Sequence, residues 1–185
     1  MNWFFYDFTP EFPYLSSALK FLVLGTIGEW IGGLIRTKGN LRTFPLKLLW
    51  GKFIIWAILG VIIKWFFTSF ILLIPIHAES GLLPDIFAKQ GSLPFAFMVS
   101  LQMNLLFGPF LMYGHRFLDN LLERKWNWKG MHVPIYAIGW FWIPAHTITF
   151  LLSKNFQIIF AAFLGVVLGI ILGFAKRESK VCGNN

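Results

Sequence analysis

The residues of this chain that could do chemistry are few, and they lie inside apolar runs. Glu29 follows Gly25 and Gly28 and precedes Gly32. At about 100° per residue these four positions and Arg36 share one helical face. A neighbouring helix can come close to a carboxylate on such a glycine-lined face. Two readings follow: a buried acid that is ion-paired or protonated and hydrogen-bonded, or a group on a path for protons or solutes. Lys64 interrupts another apolar run and has no charged residue within a helical turn. Either it pairs with Glu29, or it and Lys52 face an aqueous cavity.

Ser100, Asn104, Gly108, His115 and Asp119 fall within about a 100° arc at helical spacing, opposite a side of mainly Phe, Leu and Met. Pro109 lies on this stretch and frees the carbonyl of Leu105. Further on, Pro144 is followed by His146, Thr147 and Thr149. Both polar groups fit a hydrated lining, and both fit a hydrogen-bonded contact between helices. His115 and Asp119, four apart, could act as base and orienter, with Arg116 holding a phosphate; the same residues could form a helix-end network. No GxSxG elbow, no HExxH motif and no intramembrane cysteine is present, so a lipid-headgroup enzyme is the minor reading. Among His77, His115, His132 and His146 no close ligand pair occurs, so no metal site and no cofactor are expected.

These residues need helices in lipid to position them. Of the 185 residues, 57% are hydrophobic, 19% aromatic and only 13% charged; mean hydropathy is +0.67. One soluble core of this size could not hide nine Trp and 22 Phe, and the surplus apolar surface needs lipid as solvent. This excludes a soluble enzyme, a secreted disulfide scaffold and a disordered chain. Five apolar segments, residues 15–35, 44–74, 93–122, 133–152 and 156–175, each reach the roughly 20 residues needed to cross hydrocarbon. Lipid leaves no backbone group unpaired, so the segments are expected to be helices. The predicted fold is an all-α membrane bundle of about five spans, with Pro75 ending the second.

Loop charges give the orientation. Arg36, Lys38, Arg42 and Lys47 lie between the first two spans or just inside the second, and Arg124, Lys125 and Lys129 between the third and fourth. Lys176, Arg177 and Lys180 follow the fifth. The other connections carry little positive charge, which predicts the N-terminus out and the C-terminus in. The net charge of +8 therefore suits anionic lipid headgroups at the basic loops; no nucleic-acid partner is expected. Residues 1–14 read as a non-helical aromatic arm at the interface, residues 15–176 as one bundle, and residues 177–185 as a polar tail. Ala161, Gly165, Gly169 and Gly173 form a small-residue ridge, suited to packing within the chain or, less readily, to a homo-oligomer.

Three stretches resemble the Mpv-seventeen/peroxisomal-membrane-protein family of small multi-span membrane proteins. Gly25-Thr-Ile-Gly-Glu29-Trp-Ile-Gly32 is similar to that family's glycine-plus-acid first helix, with Glu in place of Asp. Gly108-Pro109-Phe-Leu-Met-Tyr-Gly-His-Arg-Phe-Leu118-Asp119 resembles its second-helix pattern, with Gly114-His115 replacing a Trp-Tyr pair. Trp142-Ile-Pro144-Ala-His-Thr-Ile-Thr-Phe150 resembles its Trp-Pro segment, with Thr149 replacing Asn. An additional span separates the first two stretches, fewer residues separate the second and third, and the closing Trp-Asn-x-Tyr pattern is absent. The resemblance implies a weakly selective pore for small solutes in a mitochondrial, peroxisomal or related membrane, with Glu29, Pro109, Arg116 and Asp119 as the positions carried over.

Together these readings predict an integral protein of a bacterial cytoplasmic or organelle membrane that passes small hydrophilic solutes. Glu29, Lys64, Asn104, His115 and His146 would set selectivity or gating, with histidine protonation as one trigger. The alternative is a non-transporting structural or accessory protein that packs against partner helices.

Overall fold

The computed structural model describes residues 7–36, 39 and 48–182, with side-chain surroundings given outside Arg36 and 172–182. The arm before residue 7, the basic residues Lys38, Arg42 and Lys47, and the surroundings of Gly173 lie outside that description. Helices account for nearly all of it, and no strand occurs among the described residues. The order is a short turn α1 (Thr9–Glu11), α2 (Pro13–Arg36), α3 (Leu49–Glu79), α4 (Leu93–Leu106), α5 (Gly108–Glu123), α6 (His132–Ala137), α7 (Ile143–Leu151) and α8 (Lys154–Cys182).

The predicted arm turns out to be partly helical. Pro10 sits in the first turn of α1, and Pro13 opens α2. At those positions the missing N–H removes no helical hydrogen bond. Helix α8 continues to Cys182, into the polar tail.

Helix α3 shows how sequence becomes packing. Its buried side chains, Lys52, Ile55, Leu59, Ile63, Phe67, Phe70, Ile74 and Ala78, recur every three or four residues. That is the stripe a 3.6-residue period presents to one side. The remaining surface is also apolar: Trp50, Ile54, Ile58, Trp65, Leu72 and Ile76 are exposed. A helix apolar on every side belongs in lipid rather than water. Pro75 does not stop it, contrary to the sequence expectation: the helix runs on to Glu79, and the missing N–H removes only the bond to the carbonyl four residues earlier. The stop comes at Ser80, followed by Gly81 at φ 75°, a left-handed conformation that costs glycine little.

Three helical stretches are long and apolar enough to cross a membrane: Pro13–Ile35, Leu49–Glu79 and Lys154–Ile171. The predicted third span is two helices, α4 and α5, bent by 45° at Phe107. Gly108 and Pro109 follow the break; proline disfavours helical geometry in the residue before it and cannot donate to Leu105. The predicted fourth span is interrupted as well. Between α6 and α7, residues Ile138–Trp142 form a π turn, in which the Ile143 N–H bonds the Ile138 carbonyl five residues back. Pro144 follows directly, and the wider turn relieves the clash its ring would cause in a straight helix.

Helix α2 lies between α3 and α8, while α4 packs on α7. Close approach is built from glycine. A methyl group on Gly28 would lie 2.8 Å from the Val166 Cα, and one on Gly32 would lie 2.7 Å from the Gly169 carbonyl oxygen. Gly169 reciprocates, 2.7 Å from the Gly28 carbonyl oxygen. At Gly169 the small-residue ridge thus packs within the chain, against α2, whereas a methyl group added to Gly165 would meet nothing within 4 Å.

Candidate functional site

The antiparallel register of α2 and α3 places the charged residues. Ser17 Oγ donates to the Gly60 carbonyl at 2.6 Å, beside the contact of Gly60 with Phe21. One turn along, Gly25 faces the ring of Trp56. One turn further, Glu29 meets Lys52. Phe21–Gly60, Gly25–Trp56 and Glu29–Lys52 therefore step together, four residues at a time on each helix. Lys64 lies one turn beyond Gly60, three turns from Lys52. It does not pair with Glu29; its charged neighbours are Lys20 and Lys154.

The Lys52 ammonium is held by three carboxylates. It lies 2.5 Å from Glu29 Oε1, 2.8 Å from Asp119 Oδ1 and 3.8 Å from Glu123 Oε1, and its side chain is 8% exposed. It thereby ties α2, α3 and α5 together. The second oxygen of Glu29, Oε2, accepts from Trp56 Nε1 at 3.1 Å. The Trp56 ring lies 4.6 Å from that of His115. His115 Nε2 is 3.6 Å from Asp119 Oδ1 and has no hydrogen-bond partner among the described residues. At that distance His115 and Asp119 are not joined as base and orienter, and Lys52 already occupies the carboxylate.

Glu29, His115 and Asp119 present ligand atoms within 4.8 Å of one another, a convergence that counting histidines along the sequence does not reveal. Their shared centre is contested by the Lys52 ammonium, which supplies the positive charge a metal ion would bring.

These groups border a cavity of about 440 Å³. Glu29, Lys52, His115, Arg116, Asp119 and Glu123 line it at the end where α2 finishes and α3 begins. Gly25, Gly28, Gly32, Gly165 and Gly169 contribute to its wall. The glycine face expected around Glu29 is therefore used twice, for helix contact and for open space.

The second polar group is arranged differently. Ser100 Oγ donates to the Ile143 carbonyl at 2.7 Å, joining α4 to α7. The Asn104 amide lies 2.8 Å from the Ser100 carbonyl and 3.1 Å from His146 Nδ1. The His146 ring is stacked on Trp142 at 5.0 Å and meets the edge of Phe67 at 5.4 Å. Thr147 and Thr149 donate back to the carbonyls of Ile143 and Ala145. Ser100 and Thr149 are fully buried. Asn104 and His146 also border a small cavity of about 50 Å³, room for little more than a water or two.

The polar face expected along 100–119 is thus divided by the 45° bend. Ser100 and Asn104 join α7, while His115, Arg116 and Asp119 face the large cavity. Ser100 and Lys64 line neither cavity. Trp56 and Glu123 were not foreseen as site residues: Trp56 reads as one more aromatic in an apolar run, and Glu123 as a residue of the basic loop. The signal for Trp56 was its place one turn from Lys52 on the buried side of α3. No protein-family model, no curated protein and no solved structure matches this chain.

Proposed function

We propose that this chain is an integral membrane protein of about five spans that passes small hydrophilic solutes through its interior. The N-terminus would be out and the C-terminus in. The observation that carries the reading is the cavity of about 440 Å³ with six ionisable side chains on its wall. Buried charge is costly in lipid and is characteristically kept where it lines an aqueous path. The fourth span of this reading is the run of residues 132–151, helical without a gap, about 30 Å long at 1.5 Å per residue. The bent pair α4–α5 supplies another. The resemblance to the Mpv-seventeen/peroxisomal-membrane-protein family supports the same function, and the basic connections suit anionic lipid on one side.

In this reading a solute enters beside Glu29, Lys52 and Asp119 and passes His115 and Trp56. It then meets an apolar collar before the small cavity at Asn104 and His146. Purified protein in liposomes should release small neutral and charged solutes up to a size limit. Gly165→Leu fills the large cavity from a position where an added methyl group meets nothing, and it should cut release about tenfold, a barrier increase of 1.4 kcal/mol. Release unaffected by Gly165→Leu refutes the path. No release from folded, inserted protein favours the structural reading, in which the Lys52 cluster serves only to join three helices.

A further inference from the structure

The large charged cavity and the small one at Asn104 and His146 share a wall. Phe21, Ile63, Leu111, Met112, Trp142 and Ala161 line both. Five of these offer a passing solute no polar side-chain atom. Trp142 differs, and in three respects.

Its indole Nε1 is shielded from solvent and has no hydrogen-bond partner among the described residues. Buried donors are rarely left so, and this one would meet a water or solute oxygen once the ring swings into either cavity. Trp142 is also the last residue of the π turn Ile138–Trp142. Such turns are rare and cluster at functional positions; relaxing one to α-helical register turns the residues beyond it by about 100°. Finally, the Trp142 ring is stacked on His146 at 5.0 Å and 27° and meets Phe141 edge-on at 5.1 Å, so ring contacts rather than a side-chain hydrogen bond hold it.

We infer that Trp142 is the movable wall between the two cavities, that the π turn is its hinge, and that it sets the size of solute that passes. This rests on the conduit reading and adds the residue that limits it. The solutes favoured are small, hydrophilic and bear an acceptor oxygen, which the unpaired indole N–H meets as the ring moves.

The test uses the full chain with its only cysteine replaced, Cys182→Ser, and Met103→Cys placed on the wall of the small cavity. A small charged thiol reagent is added to the protein in liposomes, and solute release is measured in parallel. Trp142→Ala should speed labelling at position 103 about tenfold and raise the size limit for release, since the side chain that blocks and pairs is gone. Trp142→Phe keeps the bulk without the N–H. It should leave the size limit near that of the parent and slow acceptor-bearing solutes about threefold, the lower range for one lost hydrogen bond. Unchanged labelling and an unchanged size limit in Trp142→Ala overturn the inference, and the conduit reading survives if the parent still conducts. Faster labelling with no release from any variant overturns the conduit reading, and the size-limiting role with it. Should Trp142→Ala fail to fold, Trp142→Leu is read by the same two measurements.

Discussion

Two polar clusters sit inside one apolar bundle and have opposite characters. Around Ser100, Asn104 and His146 the polar atoms that have partners find them in neighbouring side chains and carbonyls, and the space beside them is about 50 Å³. Around Lys52 the groups are charged, come from three helices, and leave about 440 Å³ open beside them. The residue types alone do not separate these outcomes, because each cluster contains hydrogen-bonding groups and a histidine. Spacing between helices does. Ser100 and Asn104 meet α7 directly, whereas glycines hold α2 against α8 and leave room on their other side.

The comparison is broken most strongly at Lys52. Lys52→Met leaves Glu29 and Asp119 without their cation, and breaking a buried pair in this way costs about 3 kcal/mol. A large fall in thermal stability is expected in detergent. Glu29→Gln and Asp119→Asn added to it should recover much of the loss. If the triple variant is no more stable than Lys52→Met, the cluster is not a coupled unit. A smaller effect is expected where helices touch. Gly32→Ala pushes a methyl group to within 2.7 Å of the Gly169 carbonyl, and such overpacking costs about 1–3 kcal/mol. It should also widen the spacing of α2 and α8, read as a longer distance between spin labels on them. The smallest effect belongs to the hydrogen-bonded cluster: Ser100→Ala removes one bond to the Ile143 carbonyl and should cost about 1 kcal/mol. Solute release should be unaffected, since Ser100 lines neither cavity. Release altered by Ser100→Ala would extend the path beyond the small cavity to Ser100 itself.

Several features are legible in the amino-acid sequence. Apolar runs gave the helices, and the Glu29 face was marked by its glycines. The partner of Glu29 was harder. Lys64 drew attention because it stands deep in an apolar run, but depth along one helix does not give register against another. Fixing α2 against α3 needs one contact, and Ser17 with Gly60 provides it; Lys52 then falls opposite Glu29. The two interrupted helices were half legible. Pro109 and Pro144 mark where a straight helix is disfavoured, yet proline does not say whether the chain answers with a 45° bend or a wide turn. That choice is made by neighbours distant in sequence, Ile143 against Ser100 among them. The convergence of Glu29, His115 and Asp119 was equally hidden, since it exists only once α5 lies beside α2.

The glycine contact between α2 and α8 also has a meaning in time. Gly32 and Gly169 are separated by more than a hundred residues, which at roughly 5–20 residues per second of synthesis is an interval on the order of ten seconds. During that interval Glu29 can already meet Lys52 and Trp56 of α3, while the face of Gly28 and Gly32 still lacks α8. Helices α4 and α7 reach one another sooner and can join through Ser100 and Asn104. The ion cluster of α2, α3 and α5 is complete by Glu123, before α7 is made, and the α8 wall of the cavity is the part that comes last. Until α8 arrives, the glycine face of α2 that later borders the cavity is open, so the cavity is the last feature of the bundle to be enclosed.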